Sequence, residues 1–156
     1  MLSSIHDLSE AMYLPIPLST DQLLVRVFEA ALRAWERGDI SLAWQLLSRA
    51  LDRAEAQHDR AAALQAHQLL GHVALGQGNL EQARRHHREA LQGSHAVGLQ
   101  IGVASSLHNL GLVAACSGDQ RRARALVNAA ISAYTRNNLP EAAARARANL
   151  EWLEVQ

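Results

Sequence analysis

The sequence predicts an all-α protein, an α-solenoid of three helix pairs followed by a C-terminal closing helix. Three observations predict it. First, the chain echoes itself every forty residues, with Gly38-Asp39, Gly78-Asn79 and Gly118-Asp119 in register. Second, small and apolar residues recur in fixed columns at the same interval: Ala43, Ala83 and Ala123; Ala50, Ala90 and Ala130; Leu51, Leu91 and Ile131; Ala31, Gly71 and Gly111; Ala34, Ala74 and Ala114. Third, apolar residues between these landmarks keep helical spacing. Self-similarity at roughly 20–50 residues marks modules that hide their apolar faces only by stacking on their neighbours.

Each module divides into two helices. The segments "LLVRVFEAALRAWERG", "LQAHQLLGHVALGQG" and "SSLHNLGLVAACSG" stop at glycine, which takes the left-handed conformation that closes a helix. Asp39, Asn79 and Asp119 then stand as N-caps of the second helices, since their side chains accept a hydrogen bond from the unpaired first-turn amides. Small residues in the alanine and glycine columns let paired helices approach closely. Ser19-x-x-Gln22 predicts a capping box at the first helix, and Asn138-x-x-Glu141 predicts another, with Pro140 in the first turn of the last helix.

The expected organisation is an N-terminal arm over 1–20, modules over about 21–59, 60–99 and 100–139, and a closing helix over 140–156. The arm contains "YLPIPL", extended because proline disfavours helix in the residue before it. Either it frays, as termini do, or Tyr13, Leu14, Ile16 and Leu18 dock into a groove of this molecule or a neighbour.

The segments "LLGHVALGQGNLEQARRHHREAL" and "NLGLVAACSGDQRRARALVNAAI" resemble tetratricopeptide repeats. Leu70-Gly71 and Leu110-Gly111 match the Leu-Gly of the first helix, and Ala83, Ala123, Ala90 and Ala130 match the second-helix alanines. The common repeat has roughly 34 residues; a forty-residue period resembles the longer variant in sensor arms of bacterial transcriptional regulators and in kinesin light chains. The resemblance implies a short right-handed superhelix whose first helices line a concave face. By column it places Gln65, Gln68, Leu69, His72, Ser105, His108, Asn109, Leu112, Arg145 and Asn149 on that face. Asn109 and Asn149 match asparagines that pair with the backbone of an extended peptide, since an amide both donates and accepts. Arg145 matches a basic position in members that grip a terminal carboxylate. Lysines are missing, and Leu69 and Glu29 interrupt the asparagine column, so a general peptide groove is favoured over a terminal-carboxylate grip.

Composition bounds the chemistry. With 156 residues the chain fits one domain with an unaided core. Lys+Arg 15 against Asp+Glu 15 gives no net charge, which argues against affinity built on general attraction to nucleic acid or membrane. The distribution is uneven: residues 1–60 carry −3 and residues 61–156 carry +3. Every base is arginine, a bias that either bidentate carboxylate capture or codon usage explains. Arg121, Arg122, Arg124, Arg136, Arg145 and Arg147 lie between 120 and 149 with Glu141 as the one acid, a positive end suited to an acidic partner. Charged runs on second helices are otherwise solvated faces. Tyr134 is the one aromatic residue there, so base stacking has no platform.

Histidines attract attention without forming a site. His86 and His87 are adjacent, so on a helix they diverge by about 100° and cannot chelate as an i, i+4 pair does. His87 shares a packing column with Leu47 and Val127, with His86 beside it near the outer surface; His67 shares a column with Val27 and Leu107. His72 and His108 match inward positions, where they either sense pH, contact an acidic ligand or pair within the groove. Cys116, the one cysteine, excludes an internal disulfide and agrees with a reducing compartment. It has no nucleophile context, and Gly76-Gln77-Gly78-Asn79 follows a helix, so its glycines are turn punctuation. No catalytic residue, metal site or cofactor is expected, and no signal peptide or membrane span is read, which points to the cytoplasm. The expected function is a non-enzymatic adaptor that binds a protein or peptide partner in its concave groove, in bacterial signalling or transcriptional regulation. The alternative is a self-associating scaffold, such as a homodimer, formed through the arm or through Leu150, Trp152, Leu153 and Val155.

Overall fold

The computed structural model describes residues 19–155, with side chains to Trp152. Among these there are seven helices: α1 (Gln22–Glu36), α2 (Ile40–Ala56), α3 (Arg60–Gly76), α4 (Leu80–Ala96), α5 (Gln100–Cys116), α6 (Gln120–Arg136) and α7 (Pro140–Val155). Each packs chiefly on the helix before and after it, and no strand occurs among the described residues. The architecture is therefore an α-solenoid of helix pairs with α7 unpaired at the end. The arm expected at 1–20 lies outside the described residues except for its last two.

The turns explain the regularity. Residues with positive φ stand at Gly38, His58, Gly78, Gly98, Gly118 and Asn138, one in every inter-helix turn. At each, the amide of the following residue reaches back to a carbonyl of the preceding helix: Asp39 to Ala34, Asp59 to Ala54, Asn79 to Ala74, Leu99 to Ser94, Asp119 to Ala114 and Leu139 to Tyr134, all at 2.8–3.0 Å. This is the bond from two residues past the helix end that satisfies an orphan carbonyl. The forty-residue repeat is thus built from a turn that recurs every twenty residues, in which His58 and Asn138 replace glycine.

Two expected caps differ. Helix α1 begins at Gln22, where the Asp21 carboxylate accepts from the amides of Leu23 and Leu24. Ser19 instead accepts from the Asp21 amide and donates its hydroxyl to Asp59. Asp59 also caps α3, so it ties the start of α1 to the start of α3. Asp21 in addition accepts from Arg53, and side-chain bonds from Gln57 and then Arg53 hold its pKa down to about 2. Asn138 is no N-cap: with φ at 55° it closes α6, and α7 starts at Pro140. Asp39, Asn79 and Asp119 cap α2, α4 and α6 as the sequence predicts.

The small columns sit where paired helices cross. A Cβ on Gly71 would lie 2.5 Å from the His87 ring, and one on Gly111 would lie 2.7 Å from Val127. Ala31 and Leu47, the same columns in the first pair, are both buried in one apolar cluster. Two main clusters result. One joins α1, α2 and α3 around Leu24, Phe28, Leu47 and Leu70; the other joins α5, α6 and α7 around Val127, Ala130 and Tyr134. A smaller group of Ala74, Leu75, Ala83 and Val113 links them at one end.

Candidate functional site

Between the two main clusters the core is polar. On α3, Gln68 accepts through Oε1 from Nδ1 of His87 (3.2 Å) and from Nδ2 of Asn109 (3.0 Å), and donates to Ser106 (2.6 Å). Ser106 donates its own hydroxyl hydrogen bond to the Gly102 carbonyl. Asn109 Nδ2 also faces Nε2 of His72 at 3.4 Å, and Asn149 Nδ2 faces Nε2 of His108 at 2.9 Å. Tyr134 shares a hydrogen bond with Ser105 and stands edge-on to His108, ring centres 6.2 Å apart.

These contacts form a ladder with one register. Gln68 meets Asn109 and His108 meets Asn149, each pair spanning 41 positions. The places forty residues before Gln68 and Asn109 hold Phe28 and Leu69, both in the first apolar cluster. The asparagine column expected to hold a partner's backbone therefore joins neighbouring first helices to each other. These contacts run along the face where the sequence places a groove. Gln68, Leu69, His72, Ser105, His108 and Asn109 are buried, and Gln65, Leu112, Arg145 and Asn149 are half-buried. The residues come together, but as an internal seam with a partly accessible edge.

The histidines are more deeply placed than the sequence suggests. His87 is fully buried, in the packing column expected for it, and stands edge-on to His72 with ring centres 5.2 Å apart. His86, expected near the outer surface, is buried as well, between Trp44 and the half-buried His67, whose Nδ1 lies 3.0 Å from its own. Burial pushes the pKa of His72, His86 and His108 down to about 4; the neighbours His108, His67 and Arg145 respectively lower them further. Burial also lowers His87, well below the ordinary value, and His67, where Glu89 and Glu55 oppose the shift. Three imidazole nitrogens, Nδ1 of His72 and Nε2 of His86 and His87, are buried without a hydrogen-bond partner. Nothing in the sequence marks the Gln68–Ser106 and His67–His86 contacts, because each joins residues on different helices. No group of three or more His, Cys, Asp or Glu able to hold a metal occurs among the described residues. Cys116 is exposed at the end of α5, with its thiol pKa raised by burial of the sulfur's surroundings.

The accessible surface has a different character. Arg121, Arg122, Arg136 and Arg147 are exposed on α6 and α7, and with Arg145 they form no ion pair among the described residues. An open cleft of about 390 Å³ at the α6–α7 turn is lined by Thr135, Asn138, Leu139, Pro140, Ala143 and Arg147. Trp152 is 43% exposed on α7. No described helix is long and apolar enough to cross a membrane.

Stacked helix pairs that hide their apolar faces on one another, around a seam of paired side chains, define a helical-repeat scaffold. More particularly, residues 66–136 match the family model described as Tetratricopeptide repeat, so that stretch is similar to tetratricopeptide repeats. Repeats of this type generally mediate protein–protein interaction and typically form non-enzymatic modules. No curated protein and no solved structure matches the chain.

Proposed function

We propose that the chain is an adaptor that binds an acidic segment of a protein partner at its C-terminal, arginine-bearing end. One observation carries this reading: Arg121, Arg122, Arg136, Arg145 and Arg147 have no carboxylate partner among the described residues, in a stretch whose one acid is Glu141. Guanidinium groups present a planar fork that matches a carboxylate. The cleft lined by Arg147 accepts a side chain, and the half-buried Arg145 and Asn149 on the same helix extend the contact. Gln68, His72, His108 and Asn109 then act as framework. The forty-residue period supports placing the adaptor in bacterial, cytoplasmic signalling or transcriptional control.

The test uses a fluorescent glutamate-rich peptide. Binding is expected to weaken with salt and to fall at least about tenfold in Arg136→Glu/Arg147→Glu, while Arg26→Glu on α1 leaves it unchanged, because exposed charge contacts are screened and local. No binding, or binding indifferent to the α6–α7 reversal, removes the reading. Self-assembly is the second reading, favoured by the exposed Trp152 on the unpaired last helix. A concentration-independent monomer mass by light scattering, identical in Trp152→Ser, removes it.

A further inference from the structure

The cleft at the α6–α7 turn has a floor and a rim of different character. Its floor is the edge of the core: Ala143 belongs to the second apolar cluster, Leu139 packs against that cluster, and Pro140 lies beside them. The polar groups at the end of α6 are already in use. Thr135 donates its hydroxyl to the Ile131 carbonyl at 2.9 Å and accepts the Asn138 amide on its own carbonyl at 3.2 Å. The Tyr134 carbonyl accepts from the Leu139 amide at 3.0 Å, and the Ala133 carbonyl accepts from Nδ2 of Asn137 at 2.8 Å. The floor therefore offers contact area rather than hydrogen-bond partners.

Charge stands at the rim. Arg147 lines the cleft and Arg136 follows Thr135 in the chain, both exposed. Glu141, next after Pro140, is exposed as well and is the one acid between 120 and 149. A carboxylate laid on the floor would exchange water for apolar atoms, a loss that only a hydrogen bond or a counter-charge offsets. It would also approach the turn of α7 that carries Glu141. A large apolar side chain suffers neither penalty and gains by burial. The volume of about 390 Å³ lies near the lower end of the roughly 300–1,000 Å³ found for ligand pockets, room for one large side chain.

We propose, building on the acidic-partner reading, that the segment bound at this end carries one large apolar side chain, seated over Leu139, Pro140 and Ala143, between acidic residues that meet Arg136 and Arg147. Charge steers the segment to the surface, and the buried side chain decides how long it stays, since steering acts mainly on association and desolvated contact on dissociation.

Two fluorescent glutamate-rich peptides of equal length and charge test this on the full chain, one with a central phenylalanine and one with alanine in its place. The phenylalanine peptide is expected to bind at least about tenfold tighter, the effect of burying one large apolar side chain. That ratio is expected to persist as salt weakens both peptides together, because screening acts on the charges alone. Thr135→Gln, which lays a longer neutral side chain across the cleft, is expected to abolish the difference. Equal binding of the two peptides to the unaltered chain overturns the proposal and leaves the acidic-partner reading standing; no binding by either removes both. An undiminished advantage in Thr135→Gln places the apolar contact elsewhere and overturns it. A dimer of the free chain that Thr135→Gln dissolves also overturns it, because a second copy, presenting its exposed Trp152, then fills the cleft. Should Thr135→Gln lower the helical circular dichroism, benzoylphenylalanine in place of the peptide's phenylalanine decides: adducts within 135–147 sustain the proposal, and adducts elsewhere or none overturn it.

Discussion

Gly71 shows how one residue governs a helix crossing. A methyl group there would stand 2.5–2.7 Å from three atoms of the His87 ring, which is fully buried and bonded to Gln68. The ring has no room to withdraw. Gly71→Ala is therefore expected to destabilise the fold by about 1–3 kcal/mol, the usual cost of overfilling a packed core, read as a lower urea midpoint. His58 offers the opposite case, being exposed with φ at 55°, a conformation that costs a side-chain-bearing residue roughly 1–2 kcal/mol. His58→Gly is expected to raise stability by about 0.5–1 kcal/mol once glycine's extra unfolded-state entropy is set against that relief. Gly71, Gly78 and Gly118 were legible in the sequence as punctuation or as a small column. His58 was not, because histidine, although enriched among the side-chain-bearing residues found in the left-handed region, still adopts negative φ in most places.

At the scale of the helix, α5 lacks what α1, α2, α3, α4 and α6 have: its N-cap is Leu99, with no side-chain cap bond, where Asp21, Asp39, Asp59, Asn79 and Asp119 each accept at least one. Leu99→Asp is expected to stabilise by about 0.5–1 kcal/mol, the gain of a cap less the loss of contact over Gly102. The ladder between first helices supplies a second prediction. Asn109→Ala removes a donor from Gln68 inside the core and is expected to cost about 1–3 kcal/mol, because a buried acceptor loses its partner. His108→Phe combined with Asn149→Leu rebuilds the third rung in the image of Phe28 and Leu69, and is expected to be neutral or stabilising, since a satisfied polar pair and a packed apolar pair of similar volume are close in free energy. Urea titrations of both variants check this. Column alignment identified which residues face inward, but it could not distinguish a partner from the next helix. The amide that suits a peptide backbone suits Gln68 equally well, and only the inter-helix spacing selects between them.

For the whole molecule, the buried histidines make stability depend on acidity. His72, His86 and His108 have pKa values near 4 when folded against an ordinary 6.5. A group depressed on folding lends its stability above the unfolded value and loses it as pH falls through the folded one. His72 and His108 each contribute up to roughly 3 kcal/mol at one pKa unit per 1.36 kcal/mol, His86 less because solvent screens it more, and the rings influence one another so that the sum is smaller. Protonation also reverses the polarity of the seam, because Nε2 of His72 and His108 accepts from an asparagine amide and cannot do so once it carries a proton. The charged neighbours are Arg145, from α7, beside His108; Arg85, on its own helix, beside His86; and Glu55, Glu89 and Arg85, from other helices, around the half-buried His67, the one of these rings with carboxylates among the causes of its shift. The chain is expected to hold its full stability above about pH 6.5 and to lose it progressively toward pH 4. Thermal melts at pH 7, 6, 5 and 4 check this, and a midpoint independent of pH would remove the argument.

The sequence by itself determined the repeat, the all-helical class, the positions of most turns and the small columns at helix crossings. These depend on periodicity, on glycine's backbone freedom and on side-chain size, all of which act within one module and survive in a string of letters. Only the tertiary structure decided where the polar side chains of the first helices point. Gln68 and Asn109 are 41 positions apart, and so are His108 and Asn149. Whether they face a partner or each other depends on how closely successive modules stack, a distance set by packing across the whole solenoid.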